Sequence, residues 1–408
     1  MFQRRSKSTY LDYASYTPRD ERLFSMNKIR VSGNASAYHK EGVEARSHLE
    51  ASREKVSNSI GCHPDEIIFT SGGTEGDNIA LLGAVESYEN NIKKEKKEYI
   101  KPNIIISSIE HSAVIETAKY LEANGRAQVS YIPVGKNGII DLDIFKELLK
   151  ENTILVSVMY VNNEIGTIQP IHEVAKIIRD FKKTIGVNTK YPLLFVDACQ
   201  APNYLPINVE KLHPDLLVLN GAKIYAGSGA GALFVRRGTP IQSVMHGGSQ
   251  ELGLRPGTEN IQAAHDFAVA LDYSVSKIEK ESKRLEILRQ DFLAGLQDIV
   301  DGFKIESVLL GDLENSIPGI VNIAFPKFSS ELLVIELDAK GIAVSSKSAC
   351  KSDSPEESHV VKALGLGLPS EAGSVRFSFG RWTTKSDVQK TLDALGKIFL
   401  KYKKIANK

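Results

Sequence analysis

A chain of 408 residues, 42% hydrophobic and 25% charged, is long enough to bury the cores of two domains of unequal size. Its formal net charge of +1 offers neither a basic field for nucleic acid nor an acidic tail for a cationic partner, so the expected ligand is small. The three cysteines, Cys62, Cys199 and Cys350, are too few and too far apart for a disulfide framework or a paired-cysteine zinc site. No apolar run approaches a membrane span, and a reducing cytosol is the expected compartment.

Near the N-terminus, Arg4, Arg5 and Lys7 imitate the start of a signal peptide, but Leu11-Asp12-Tyr13 and Arg19-Asp20-Glu21-Arg22 stand where an apolar core would be needed. From about Pro64 to Arg237, short apolar runs alternate with helix-period segments. A strand over 66–70 leads to a helix over 77–88, and a strand over 104–108 to a helix over 112–123. A strand over 153–160 precedes a helix near 171–185, and strands follow over 193–197, 215–219 and 231–235. Continuous rather than alternating apolar character predicts strands covered on both faces, the pattern of a mainly parallel sheet in an α/β domain. Ligands then belong at the carboxyl ends of the strands, where Thr74, His111, Asn162 and Asp197 all fall. A long helical stretch over 261–300, with room for one break, separates this unit from a smaller α+β set: strands over 320–325 and 375–378, helices over 330–339 and 385–402. The predicted division is 1–262 and 263–408, with the first ~15 residues free to pack on the smaller unit.

Lys223 sits in the turn Asn220-Gly221-Ala222-Lys223-Ile224-Tyr225-Ala226-Gly227, downstream of the strand end Phe195-Val196-Asp197-Ala198-Cys199-Gln200. A turn lysine is usually a solvated surface charge, and a carboxylate after a strand is usually a turn former. Together, though, an amine that can form a Schiff base and a carboxylate that can keep a ring nitrogen protonated are what pyridoxal phosphate chemistry needs. Ser71-Gly72-Gly73-Thr74-Glu75 joins a strand to a helix, where bare N–H groups and the helix dipole attract phosphate. Its spacing is that of neither a Walker loop nor a dinucleotide fingerprint. His111 closes Ser107-Ser108-Ile109-Glu110-His111, and Cys350 lies in a Ser- and Lys-rich stretch that suits an exposed thiol better than a buried one. Cys62 and Cys199 read as structural.

These segments resemble the cysteine desulfurases, class V members of the fold-type I pyridoxal phosphate enzymes. The likeness runs from Tyr10-Leu11-Asp12-Tyr13-Ala14 through Phe69-Thr70-Ser71-Gly72-Gly73-Thr74-Glu75, Val161-Asn162-Asn163-Glu164-Ile165-Gly166 and Arg255-Pro256-Gly257-Thr258-Glu259-Asn260 to Ser348-Ala349-Cys350 and Arg376-Phe377-Ser378-Phe379-Gly380-Arg381. The resemblance implies that Lys223 holds the cofactor and Asp197 pairs with its ring nitrogen. By the same likeness His111 stacks on the ring and moves protons and Gln200 bonds the phenolic oxygen, while Gly73 and Thr74, with Asn220 as a further donor, are expected to receive the phosphate. It places Asn162 beside cofactor and substrate, Arg376 on the substrate carboxylate, and Thr258 on the phosphate of a partner subunit in a homodimer. L-cysteine would yield L-alanine, leaving a persulfide on Cys350 for a sulfur-acceptor protein, either an iron–sulfur cluster scaffold or a tRNA-thiolation enzyme.

The chain departs from the family's usual Ser-x-His-Lys, having Asn220-Gly221-Ala222-Lys223. A charge-assisted hydrogen bond lost from the phosphate is worth about 1.5–3 kcal/mol; with the Asn220 amide, Thr74 and the helix start still able to donate, weakened rather than absent cofactor binding is expected. Tyr160 stands where the family often has histidine, and Lys347 where it often has glycine. Two rival readings remain open at this point. One is a selenocysteine lyase or other class V lyase or aminotransferase; the other, motivated by Ala222, is a non-catalytic sulfur-relay scaffold.

Overall fold

The computed structural model describes residues 8–96, 98–186, 189–346, 358–368 and 373–406. Twelve strands are described, labelled in chain order: β1 (Thr9–Tyr10), β2 (Ile67–Thr70), β3 (Asn103–Ser107), β4 (Gln128–Ile132), β5 (Thr153–Ser157), β6 (Leu193–Asp197), β7 (Leu216–Asn220), β8 (Gly231–Val235), β9 (Val308–Leu310), β10 (Ile320–Phe325), β11 (Ile342–Ala343) and β12 (Gly373–Ser378). Seven form the central sheet in the order β2-β8-β7-β6-β5-β3-β4. Pairings from β4 through β7 are parallel, and β8 runs antiparallel to both its neighbours, so the sheet is mainly parallel as predicted.

Every residue of β2, β3, β5 and β6 is buried. Successive side chains feed opposite layers: Leu194 and Val196 join one apolar core, while Leu193 and Phe195 join the other. That is the physical reason the strands read as unbroken apolar runs. β4 escapes that reading because it is an edge strand, Gln-Val-Ser-Tyr-Ile, with polar and exposed positions. Helices Ser112–Ala123 and Ile171–Ile185 have the predicted bounds, whereas the helix after β2 starts earlier, at Gly73, and runs to Glu95.

The helix Ile261–Phe303 is continuous, so the anticipated break is absent, and its 43 residues span about 65 Å. Ile261, Phe267 and Leu271 pack in the core under the large sheet; Leu285, Phe292 and Val300 pack in a separate core with β10 and β12. The change of core therefore falls within the helix, between Leu271 and Leu285. β9, β10 and β12 form an antiparallel sheet. The N-terminal segment joins this smaller unit: β1 pairs with β11, and the Ser378 amide donates to the Leu11 carbonyl at 2.8 Å. From there it turns back to the large sheet, where the Thr17 amide and hydroxyl both donate to the Ala222 carbonyl. Among the described residues, no helix is long and apolar enough to cross a membrane.

A buried ion pair fixes the approach to the Arg255–Asn260 segment. Arg53 meets Glu251 at 2.8 Å, with both side chains nearly sealed from solvent, and Glu251 also accepts from the Phe69 amide. Arg53→Ala strands that carboxylate without its cation, and we expect a loss of about 3–5 kcal/mol, read as a fall in the urea midpoint of unfolding.

Candidate active site

The carboxyl ends of β2, β5, β6 and β7 open on one cavity. Gly73, Thr74, His111, Asp197, Gln200, Asn220, Lys223 and Arg376 all line it, bringing eight residues singled out in the sequence together from seven elements and loops. The helix that starts at Gly73 has no side-chain cap, so its first N–H groups are offered to whatever occupies the cavity. Glycine is required there: a Cβ on Gly73 would lie 2.9 Å from Cys199 Sγ and 3.3 Å from Asn220 Nδ2. Asn220 Oδ1 accepts from the Ala222 amide, which leaves its Nδ2 turned toward the same helix start.

Lys223 Nζ donates to the Ala14 carbonyl at 2.8 Å and the Ser15 carbonyl at 2.5 Å. Gln200 Nε2 donates to the same Ala14 carbonyl, so the N-terminal segment sets both side chains. His111 caps its helix, with Nδ1 accepting from the Ala113 amide at 3.2 Å; in a neutral ring this places the proton on Nε2. Asp197 Oδ1 accepts from the Cys199 amide at 2.9 Å. Arg376, 2% exposed, donates to the Asn163 carbonyl, Asp12 and Ser15. Its Nε has no partner among the described residues, so the guanidinium retains unsatisfied donor capacity.

Three sequence expectations need a separate account. Asn162 does not face the cavity: it is fully buried, Nδ2 donates to the Ile109 carbonyl, and Oδ1 accepts from the Glu164 and Ile165 amides. Both ends of its amide are committed to the turn, and the neighbouring Asn163 lines the cavity instead. Thr258 lies in a separate cavity with Ser71, Gly229 and Arg255. Cys350, with Lys347 and Lys351, lies outside the described residues.

Ala14, Ser15, Asp77, Asn163 and Cys199 also line the cavity and were not anticipated as site residues. Asp77 had a legible signal, since it stands one helical turn past Gly73 and so shares its face. It is 1% exposed, its Oδ1 has no partner among the described residues, and burial, then the charges of Asp197 and Glu110, push its carboxyl well up. Burial also raises the Cys199 thiol well above its usual value, with Asp197 and Asp77 adding to the effect. A thiol so placed is held protonated.

The site suits a phosphorylated aromatic aldehyde. It has an amine for the aldehyde, a carboxylate for a ring nitrogen, an imidazole in the cavity wall and an uncapped helix start for the phosphate. The doubly covered sheet with this cavity at its carboxyl edge defines a fold-type I pyridoxal phosphate enzyme, and the chain belongs to the aminotransferase class-V family, whose profile matches residues 9–391. Within that class it belongs to the cysteine desulfurases. It is 38% identical over 405 residues to cysteine desulfurase IscS of Dictyoglomus turgidum, covering 98% of this chain and 96% of that protein. It is also 38% identical over 389 residues to cysteine desulfurase IscS 1 of Archaeoglobus fulgidus, covering 95% of each. Among solved structures, a NifS-like protein superposes with a TM-score of 0.84 at 33% identity, covering 96% of this chain and 99% of that one. SspA in complex with cysteine superposes with a TM-score of 0.73 at 28% identity, covering 92% and 100% respectively.

Glu110 lies beneath the cavity, fully buried. Ser107 and the Met159 amide donate to its Oε1 and Ser157 to its Oε2, yet burial dominates and pushes its carboxyl up to about 7. The folded chain therefore keeps a proton there that the unfolded chain releases near pH 4.5, so this group's contribution to stability falls as pH rises between those values. Glu110→Gln preserves the shape and removes the titration. The variant's stability relative to wild type is expected to improve by roughly 3 kcal/mol from pH 4.5 to 7, measured by urea unfolding across that range.

Proposed function

We propose that the protein is a pyridoxal-phosphate-dependent cysteine desulfurase that takes sulfur from L-cysteine onto Cys350 and releases L-alanine. The reading rests on one observation: Lys223, Asp197, His111 and Arg376 converge on a cavity whose floor is an uncapped helix start. When bound, the cofactor supplies an electron sink for bond breaking at the substrate's carbon skeleton.

The chain's own groups account for the rest. Lys223 holds the cofactor covalently, and the Ala14 and Ser15 carbonyls aim its Nζ into the cavity. Asp197, oriented by the Cys199 amide, would pair with the cofactor's ring nitrogen. His111, in the cavity wall, would lie against the cofactor and would carry protons to and from the substrate. Gln200 serves the phenolic oxygen, and Gly73, Thr74 and Asn220 cradle the phosphate in the place of the family's histidine. Arg376 pairs with the substrate carboxylate through its planar guanidinium.

The Cys350 thiolate forms an S–S bond to the substrate sulfur as the substrate's Cβ–S bond breaks; the electron pair stays with carbon, which takes up a proton to become alanine. Thr258 serves the phosphate bound by a second copy in a homodimer. The outer sulfur of the persulfide passes to a thiolate of an acceptor protein, an iron–sulfur cluster scaffold or a tRNA-thiolation enzyme in the cytoplasm, and the Cys350 thiolate is released.

Anaerobic incubation with L-cysteine, and with L-selenocysteine in parallel, tests the reading through alanine release and mass spectrometry of the Cys350 peptide. Cys350→Ala should retain bound cofactor and form no persulfide. Lys223→Ala should show no borohydride-fixed cofactor at that position. Persulfide chemistry that survives in the cysteine variant would refute the assignment.

A further inference from the structure

How a carboxylate can reach Arg376 depends on which of its N–H donors are already engaged. Nη1 donates to the Asn163 carbonyl at 2.8 Å, and Nη2 donates both to Asp12 Oδ1 at 3.0 Å and to Ser15 Oγ at 2.5 Å. Nε has no partner among the described residues. Both bidentate faces of a guanidinium include Nη2, one with Nε and the other with Nη1. The two hydrogens of Nη2 are taken, so a carboxylate can pair through both its oxygens only by displacing Asp12 or Ser15.

Charge and position decide which of them yields. Asp12 is the anion paired with a guanidinium that is 2% exposed, and its departure would leave a buried charge without a counter-ion. Ser15 is neutral and lines the cavity beside Arg376. Its hydroxyl directs its own proton to Asp12 Oδ1 at 2.8 Å, so toward Arg376 it acts only as an acceptor. The turn that carries it is fixed from several sides: the Ser15 and Tyr16 amides donate to the Asp12 carbonyl, and the Ala14 amide donates to Ser378 Oγ. A replacement donor also stands nearby. The Ser345 hydroxyl lies 3.4 Å from that of Ser15 and can bond to it once Nη2 has turned to another acceptor.

We propose that Ser15 is a positioning residue for Arg376 that sets the affinity for the substrate carboxylate. Its hydroxyl holds Nη2 until a carboxylate takes Nε and Nη2 together, and then passes to Ser345 while keeping its bond to Asp12. Between turnovers the buried cation stays bonded, and binding is weaker by the cost of displacing that hydroxyl. The inference rests on the desulfurase reading, in which Arg376 receives the carboxylate of L-cysteine.

The test uses cofactor-loaded full-length protein and 3-mercaptopropionate, which carries the carboxylate and lacks the amine that would react at Lys223. Its Kd is measured by calorimetry, and KM and kcat for L-cysteine are taken from alanine release. Ser15→Ala keeps the main-chain carbonyl that receives Lys223. It is expected to bind 3-mercaptopropionate about fivefold more tightly and to lower KM by a similar factor, with kcat changed less than about twofold. 3-Mercaptopropionamide offers a single carbonyl oxygen, for which the unpartnered Nε suffices, and should bind both proteins alike. Ser15→Thr restores the hydroxyl and should restore the wild-type Kd. Unchanged or weaker binding of 3-mercaptopropionate by Ser15→Ala overturns the inference. Should that variant fail to fold, Ser345→Ala decides instead: loss of the replacement donor should weaken binding of 3-mercaptopropionate about threefold, and wild-type affinity overturns the inference. Arg376→Lys separates the two levels. Wild-type affinity for 3-mercaptopropionate in that variant removes Arg376 as the carboxylate's partner and the inference with it, whereas weakened binding there with no change in Ser15→Ala overturns the inference alone.

Discussion

The active site depends on a buried guanidinium brought in from the smaller unit. Arg376 stands on β12, pairs with Asp12 at 3.0 Å and is otherwise held by Ser15 and the Asn163 carbonyl. A buried charge with incomplete pairing is costly, so each of these partners is under pressure to stay in place. Two of them, Asp12 and Ser15, belong to the segment whose Ala14 and Ser15 carbonyls receive Lys223 and whose Ala14 carbonyl also receives Gln200. The N-terminal segment is therefore the physical link between Arg376 and Lys223. β1 ties it to β11, and Thr17 ties it to the Lys223 turn.

Below the cavity the electrostatics run the other way. Asp77 and Glu110 are buried carboxyls pushed toward their neutral forms, and Asp197 is among the charges that push them. Burial and the neighbouring charges thus discourage two of the three carboxyls from ionising. The arrangement spares the site the repulsion of three adjacent carboxylates. Burial, with the same neighbours adding to it, also holds the Cys199 thiol well above its usual value.

Much of this was legible in the sequence because the large sheet is covered on both faces. Strands such as Leu193–Asp197 then read as continuous apolar runs whose last residue marks the crevice. Where burial is one-sided the signal fades, as in edge strand β4, whose polar positions face solvent. The site was legible by residue type but not always by direction. Two adjacent asparagines at 162 and 163 are indistinguishable until the turn shows which amide closes it and which faces the cavity. Helical spacing from Gly73 points Asp77 to the cavity, but only the fold shows that β6 brings the charge of Asp197 to bear on it. The roles of Ala14 and Ser15 are carried by main-chain carbonyls, which side-chain identity cannot disclose.

The single helix from Ile261 to Phe303 threads both cores, yet its middle stretch, around Lys277 to Lys283, contributes to neither. Arg284 then anchors it to the Gly380, Arg381 and Thr383 carbonyls just beyond β12. Such a helix behaves as a splint rather than a hinge. Rigid-body swinging of one unit against the other would require bending an intact hydrogen-bonded rod, so breathing around the crevice is left to the short connections that flank it.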